Sequence, residues 1–190
     1  MEYRNKVALG CGGFLLLAAI VAVVSVVFSS RHRTSDPEAV RAISLAICPL
    51  VPPEPMVPVF AASGEVATGP SAIWAVDSRF QNLMLVLRSV ASEPDSPEAL
   101  VAALAQVHPS LTGFAPEPGA RREPVRVHGV ERVALTQTAR TVEESRQARV
   151  CVSFRAGERW VLLMLQGDPA DVNVFELQKL LDRMPPSTRG

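Results

Sequence analysis

Cysteine is scarce, with three in 190 residues, and aromatic side chains make up only 5% of the chain. Too few cysteines exclude a disulfide-dense mini-protein. Charge of one sign is missing as well, because 19 basic residues face 19 acidic ones. A neutral chain has no basic footprint for nucleic acid, so no nucleic-acid partner is expected. The 48% hydrophobic content excludes a polar disordered chain. The strong catalytic signatures are also missing: there is no Gly-x-Ser-x-Gly elbow, no His-Glu-x-x-His, no Cys-x-x-Cys and no Gly-rich phosphate loop. The sequence therefore predicts no catalytic residue, no cofactor and no metal, and one modest domain beside whatever is not domain.

What is present first is a long apolar run. From Val7 to Phe28 no residue is charged, and only Gly10, Gly12, Gly13 and Ser25 interrupt it. At about 1.5 Å per residue a helix over this stretch would reach about 33 Å, the thickness of a bilayer core. A cleaved signal peptide would have a shorter apolar part and a small-x-small cut. Ala8-Leu9-Gly10-Cys11 resembles a bacterial lipobox, but Cys11 opens the run instead of closing it. Gly13-Phe14 resembles a prepilin cut, but Ala18 stands where a glutamate belongs. The run is thus read as an uncleaved, single-pass signal anchor of a bacterial type, with the bilayer as partner. Arg4 and Lys6 before it are balanced by Arg31 and Arg33 after it, so the short N-terminus decides the orientation: 1–6 in the cytoplasm and the domain outside. Ala18 and Ala22 would permit helix pairing, although an inert tether is the simpler role.

After a linker over 29–35, a soluble domain is expected over 36–184, with a tail at 185–190. Ser35-Asp36-Pro37-Glu38 reads as a capping box opening a first helix that carries Val40, Ile43, Leu45 and Ile47. Pro49, Pro52, Pro53, Pro55 and Pro58 make the next stretch extended and lead into an edge strand at Val57, Val59 and Phe60. Ala72 to Val76 is a strand, and the continuous Leu83 to Leu87 marks a central one covered on both faces. Asp95-Ser96-Pro97-Glu98 opens a second helix that closes at His108-Pro109. Val125 to Val127 and Val133 to Leu135 flank a turn at Gly129; Val150 to Phe154 and Trp160 to Leu165 form a hairpin. Gly167-Asp168-Pro169 starts a last helix ended by Pro185-Pro186. The expected class is α/β of the α+β type, a mainly antiparallel sheet of about six or seven strands with helices packed on it.

The second half, Val125-Arg126-Val127-His128-Gly129, then Val133 to Ala139, Ala148 to Phe154, Trp160 to Gln166 and Phe175 to Met184, resembles the PsbP-like α/β sandwich in its order of elements. The resemblance implies a small extracytoplasmic or lumenal accessory protein. It assigns no binding residue, and the family's aromatic-rich opening strand is missing, since Phe60 is the only aromatic residue between Arg31 and Trp74.

Single residues add little chemistry. His32, His108 and His128 all fall at boundaries or turns, and Glu143-Glu144 is an adjacent acidic pair whose side chains would point apart. Cys48 and Cys151 are a possible disulfide tying the first helix to a central strand in an oxidising compartment; the alternative is two separately buried thiols. Trp74 and Trp160 read as core. Arg121-Arg122 with Arg126 could grip an acidic partner, or form a solvated loop. The function expected is a membrane-anchored extracytoplasmic interaction or accessory domain with a protein partner. The alternatives are a small-molecule or lipid-binding module, using a groove between the sheet and Pro49 to Pro58, and an enzyme of unrecognised type.

Overall fold

A computed structural model describes residues 33–64, 69–76, 83–140 and 146–185. The chain divides into two units, 1–33 and 34–190, and the fold below is that of the second, its first strand opening on the boundary residue Arg33. Its strands are β1 (Arg33–Thr34), β2 (Val57–Ala62), β3 (Ser71–Ala75), β4 (Met84–Val90), β5 (Arg121–Val127), β6 (Val130–Arg140), β7 (Arg146–Ala156) and β8 (Arg159–Gly167). Its helices are α1 (Pro37–Ile47), α2 (Pro97–Ala105) and α3 (Val174–Asp182), with one 3-10 turn at Pro109–Leu111.

The strands form one eight-stranded sheet in the order β1-β2-β3-β4-β8-β7-β6-β5, and the ladders from β2 to β5 are all antiparallel. The chain crosses from β4 to the far edge through α2, then returns by hairpins until β8 pairs with β4. The expected α/β class with six or seven strands is thereby corrected. The sheet gains β1 as an eighth strand, and it dominates the fold because β6 and β7 span 11 residues each, with polar ends that alternate with buried positions, so hydrophobic runs marked only their middles. Residues Arg33–Thr34, expected in the linker, are a short strand instead. The continuous run in β4 is indeed central, and six of its seven residues are buried.

The membrane-anchor expectation receives no support from the structure. No helix among the described residues is long and apolar enough to cross a membrane; the three helices hold 11, 9 and 9 residues against the roughly 20 a span requires. Val7 to Phe28 itself lies outside the described residues, as do 1–6 and 186–190.

Helix starts follow from proline. A residue before proline is driven to extended backbone, so it cannot be helical and becomes the cap. Asp36 accordingly caps α1, where Ser35 was the expected box residue, and its Oδ2 accepts from Ala39 N at 3.0 Å. Ser96 caps α2 in the same way, with Oγ accepting from Ala99 N at 3.1 Å. The last helix starts later than Asp168-Pro169, which forms a turn closed by Asp171 N donating to Asp168 O at 3.0 Å. Asn173 caps α3, accepting from Glu176 N at 3.0 Å, while Val172 and Leu177 are buried on either side of the cap as a hydrophobic staple.

Each face of the sheet buries a separate cluster. On the first face, α1 and α3 bring Val40, Ile47, Leu177 and Leu181 against Trp74, Leu85, Val150 and Leu163. Trp74 Nε1 donates to Ser44 Oγ at 3.1 Å, which satisfies its one polar atom. On the second face, α2 and the 3-10 turn bring Leu100, Leu104 and Leu111 against Ile73, Val86, Leu162 and Met164. The proline-rich segment is packed down, with Leu50, Pro52 and Met56 buried.

Candidate functional site

The first face is apolar, whereas the second carries a polar row across three strands. Gln137 on β6 lies opposite Arg149 on β7, and Arg149 lies opposite Gln166 on β8. Directly opposed residues share a face, and Arg149 shares its face with Cys151 two residues on, which belongs to the second-face cluster. Arg149 is only 2% exposed. Its Nε and Nη2 donate to Gln166 Oε1 at 3.0 and 2.6 Å, and Nη2 also donates to Leu111 O at 3.0 Å. The Phe114 ring covers it, with the guanidinium carbon 4.1 Å from the ring centroid. Every partner is neutral. No salt bridge among the described residues includes Arg149, and burial pushes its guanidinium below the usual value. Beside it, Gln137 Oε1 is buried without a hydrogen-bond partner, a state that ordinarily costs about 1–3 kcal/mol.

The cover over this row is the segment joining α2 to β5. His108 caps the 3-10 turn through Nδ1, which accepts from Ser110 N at 3.2 Å, and its ring meets Phe60 edge-on at 5.3 Å between centroids. Further along, Glu117 N donates to Thr138 O at 2.7 Å, and Pro116 bridges Ala139. The segment therefore runs along β6 beyond the point where β5 stops pairing at Arg121.

A second feature is a cleft of about 290 Å³ between the first turn of α2 and the β5–β6 hairpin. Glu93, Asp95 and Glu131 give it carboxylates, while Leu100, Val133 and Leu135 give it an apolar lining. Arg132 belongs to it too, 3.6 Å from Glu93 and 5.0 Å from the Trp160 ring centroid. Val133 in its lining is 59% exposed.

The free edge of β5 is closed by two devices. Gln178 of α3 accepts from Arg126 N at 2.8 Å and donates from Nε2 to Arg126 O at 3.0 Å, so it takes both outward backbone groups of that residue. Pro124, two residues away and hence outward as well, has no N–H to offer. At the other end the edge strand β1 is only two residues long, and β2 beside it carries Pro58 and an irregular register between Pro58 and Phe60. Sheet edges blunted in this way resist pairing with another chain.

The possible disulfide is not formed. Cys48 and Cys151 are free, buried thiols in the clusters of opposite faces, and the sheet stands between them. Cys48 Sγ instead meets Met184 Sδ at 3.4 Å, joining the ends of α1 and α3. Burial pushes the Cys48 thiol up to about 11 and the Cys151 thiol up to about 12, so neither is a thiolate at neutral pH. The arginines of β5 are not gathered: Arg122 is 3.9 Å from Glu98, Arg126 is held through its backbone, and Arg121, one residue from Arg122, points to the opposite face. His128 occupies the β5–β6 turn with φ 49 and is exposed. His32 and Glu143-Glu144 lie outside the described residues. Among the described residues no group of three or more His, Cys, Asp or Glu could hold a metal ion.

Sequence reasoning missed the polar row, because Gln and Arg at strand positions read as solvent-facing. One signal was available: Arg149 stands alone in Ala148-Arg149-Val150-Cys151-Val152, where every neighbour is apolar. No family model matches the chain, and no curated protein matches it significantly.

Proposed function

We propose that the domain is a non-catalytic interaction module whose protein partner docks at the cleft between α2 and the β5–β6 hairpin. One observation carries the reading: exposed Val133 lines a cleft that holds three carboxylates, Glu93, Asp95 and Glu131, against the single Arg132. Exposed apolar side chains rimmed by one sign of charge suit a partner that brings apolar and basic groups together. The blunted edges direct such a partner to this surface and away from strand addition. The proposed relationship to PsbP-like sandwiches is supported by the helical cover on both faces and by the closing helix α3; it assigns no role.

A photo-crosslinking residue at Val133 tests the reading, with one at Arg41 on α1 as control. Crosslinking of one defined protein at position 133 alone, abolished by reversing Glu93 and Asp95 to arginine, is the expected result. Equal labelling at both positions, or labelling indifferent to the reversal, would overturn it. A second reading, a small-molecule-binding module, is favoured by a different observation, the buried guanidinium with only neutral partners.

A further inference from the structure

We infer that Arg149 is the anchor of a binding site for a small planar monocarboxylate, occupied in this state by the protein's own segment 109–114. The inference is independent of the interaction surface proposed above, since it concerns the polar row of the second face.

A buried guanidinium without a counter-anion has poor reason to persist in an apolar sheet face, because desolvation disfavours the charge and apolar replacements of similar volume are usually tolerated. Here it is 2% exposed, and its three hydrogen bonds go to an amide oxygen and a backbone carbonyl. The segment above it supplies what a ligand would supply: Leu111 O accepts from Nη2 at 3.0 Å, and the Phe114 ring lies on the guanidinium at 4.1 Å. An acceptor oxygen together with a planar ring is the signature of an aromatic carboxylate, and a carboxylate would add the missing negative charge. The row contributes a single cation, so a monoanion balances it and a dianion would not. Gln137 stands opposite Arg149 with a buried amide oxygen that has no partner. Turned over, the same amide takes its oxygen out of that position and presents its NH2 there as a donor to the second carboxylate oxygen.

The attachment of the segment fits a cover that can lift. Leu111 is its only residue in the second-face core besides the partly buried Val107, and Phe114 touches the row through a cation–π contact. In this state the plug competes with the ligand, so weakening the plug strengthens binding.

Benzoate is the probe, titrated calorimetrically into the full chain at constant ionic strength, with benzamide as its uncharged isostere. Phe114→Ala removes the ring that competes for the guanidinium and is expected to tighten benzoate binding by a factor of about ten relative to the parent chain. Adding Arg149→Met to Phe114→Ala abolishes binding, and benzamide does not bind. If Arg149→Met fails to give the parent circular dichroism spectrum, Gln137→Leu in the Phe114→Ala background decides instead, with binding weakened several-fold. Benzoate binding no tighter in Phe114→Ala than in the parent, benzamide binding as well as benzoate, or binding unchanged by the Arg149 or Gln137 substitution would each overturn the assignment.

Discussion

Ser44→Ala is a small change with a calculable consequence. The Ser44 hydroxyl is fully buried on α1 and accepts the indole N–H of Trp74 at 3.1 Å. Replacing it with alanine barely alters volume, but it strands a buried donor on β3 between the helix and the sheet. An unsatisfied buried donor costs about 1–3 kcal/mol. For a domain of roughly 150 residues, each kcal/mol lowers the melting temperature by about 2–4 °C, so a fall of about 4–8 °C corresponds to the middle of that range. Trp74→Phe removes the donor instead, and Ser44 can then bond its own helix backbone. The pair of single variants and the double variant form a cycle, read by urea unfolding, with an expected coupling of about 1–2 kcal/mol. Ser44→Ala unfolding at the parent midpoint, or a coupling near zero, would refute the claim that this hydrogen bond fixes α1 on the first face.

Other outcomes follow from the same contacts. Burial raises the thiols from the ordinary 9.0 to about 11 for Cys48 and about 12 for Cys151, so the unfolded chain ionises first. The stability they contribute is whole below about pH 9 and declines as pH rises through 9 to 11, by up to about 1.4 kcal/mol per pH unit for each thiol. Urea midpoints from pH 8 to 11 should fall less steeply in Cys48→Ala/Cys151→Ala than in the parent; equal slopes would refute it. Gln137→Leu removes an amide oxygen that has no partner and should raise stability by about 1 kcal/mol, against the usual sign for a strand substitution; a loss in chemical unfolding would show that this oxygen is paired. Pro124→Thr with Gln178→Ala restores an N–H and uncovers both backbone groups of Arg126 on β5. Sedimentation should then show the double variant associating with concentration beyond either single variant, and identical behaviour of all three would show that the edge is not what these residues guard.

Much of the element order was legible because each signal had a local cause. Pro37 and Pro97 fix helix starts through the residue before them, Leu83 to Leu87 is apolar throughout because β4 lies between β3 and β8, and His128-Gly129 turns the chain between Val127 and Val130. The extent of the sheet was less legible. Half of β6 faces solvent, and solvent-facing strand residues look like loop. Arg33–Thr34 has no composition of its own to mark it as a strand. The candidate sites were hidden for another reason: Gln137, Arg149 and Gln166 are separated by 12 and 17 positions in sequence, and only the registers of β6 with β7 and β7 with β8 align them. The same holds for Cys48 and Cys151, whose apolar neighbours announce burial but not which face buries each.

The two faces differ in how their covers are held, and that difference bears on where function resides. On the first face, α1 and α3 are seated mainly by aliphatic side chains, beside the Ser44–Trp74 hydrogen bond and the Gln178 contacts to β5, and their ends meet at Cys48 and Met184. On the second, only Leu100, Leu104 and Leu111 of the cover are buried, and both buried arginines of the sheet reach up to it. Arg88 donates to the carbonyl of Ala103 in the last turn of α2, and Arg149 donates to the carbonyl of Leu111 at the end of the 3-10 turn. Carbonyls at helix ends have no intrahelical partner and carry the negative end of the dipole, so a guanidinium suits them. Such a bond is replaceable in a way that interlocked aliphatic packing is not, because water or a carboxylate can accept the same protons. A domain that needed only stability would cover both faces alike; here the face held by exchangeable bonds is also the one flanked by the acidic cleft.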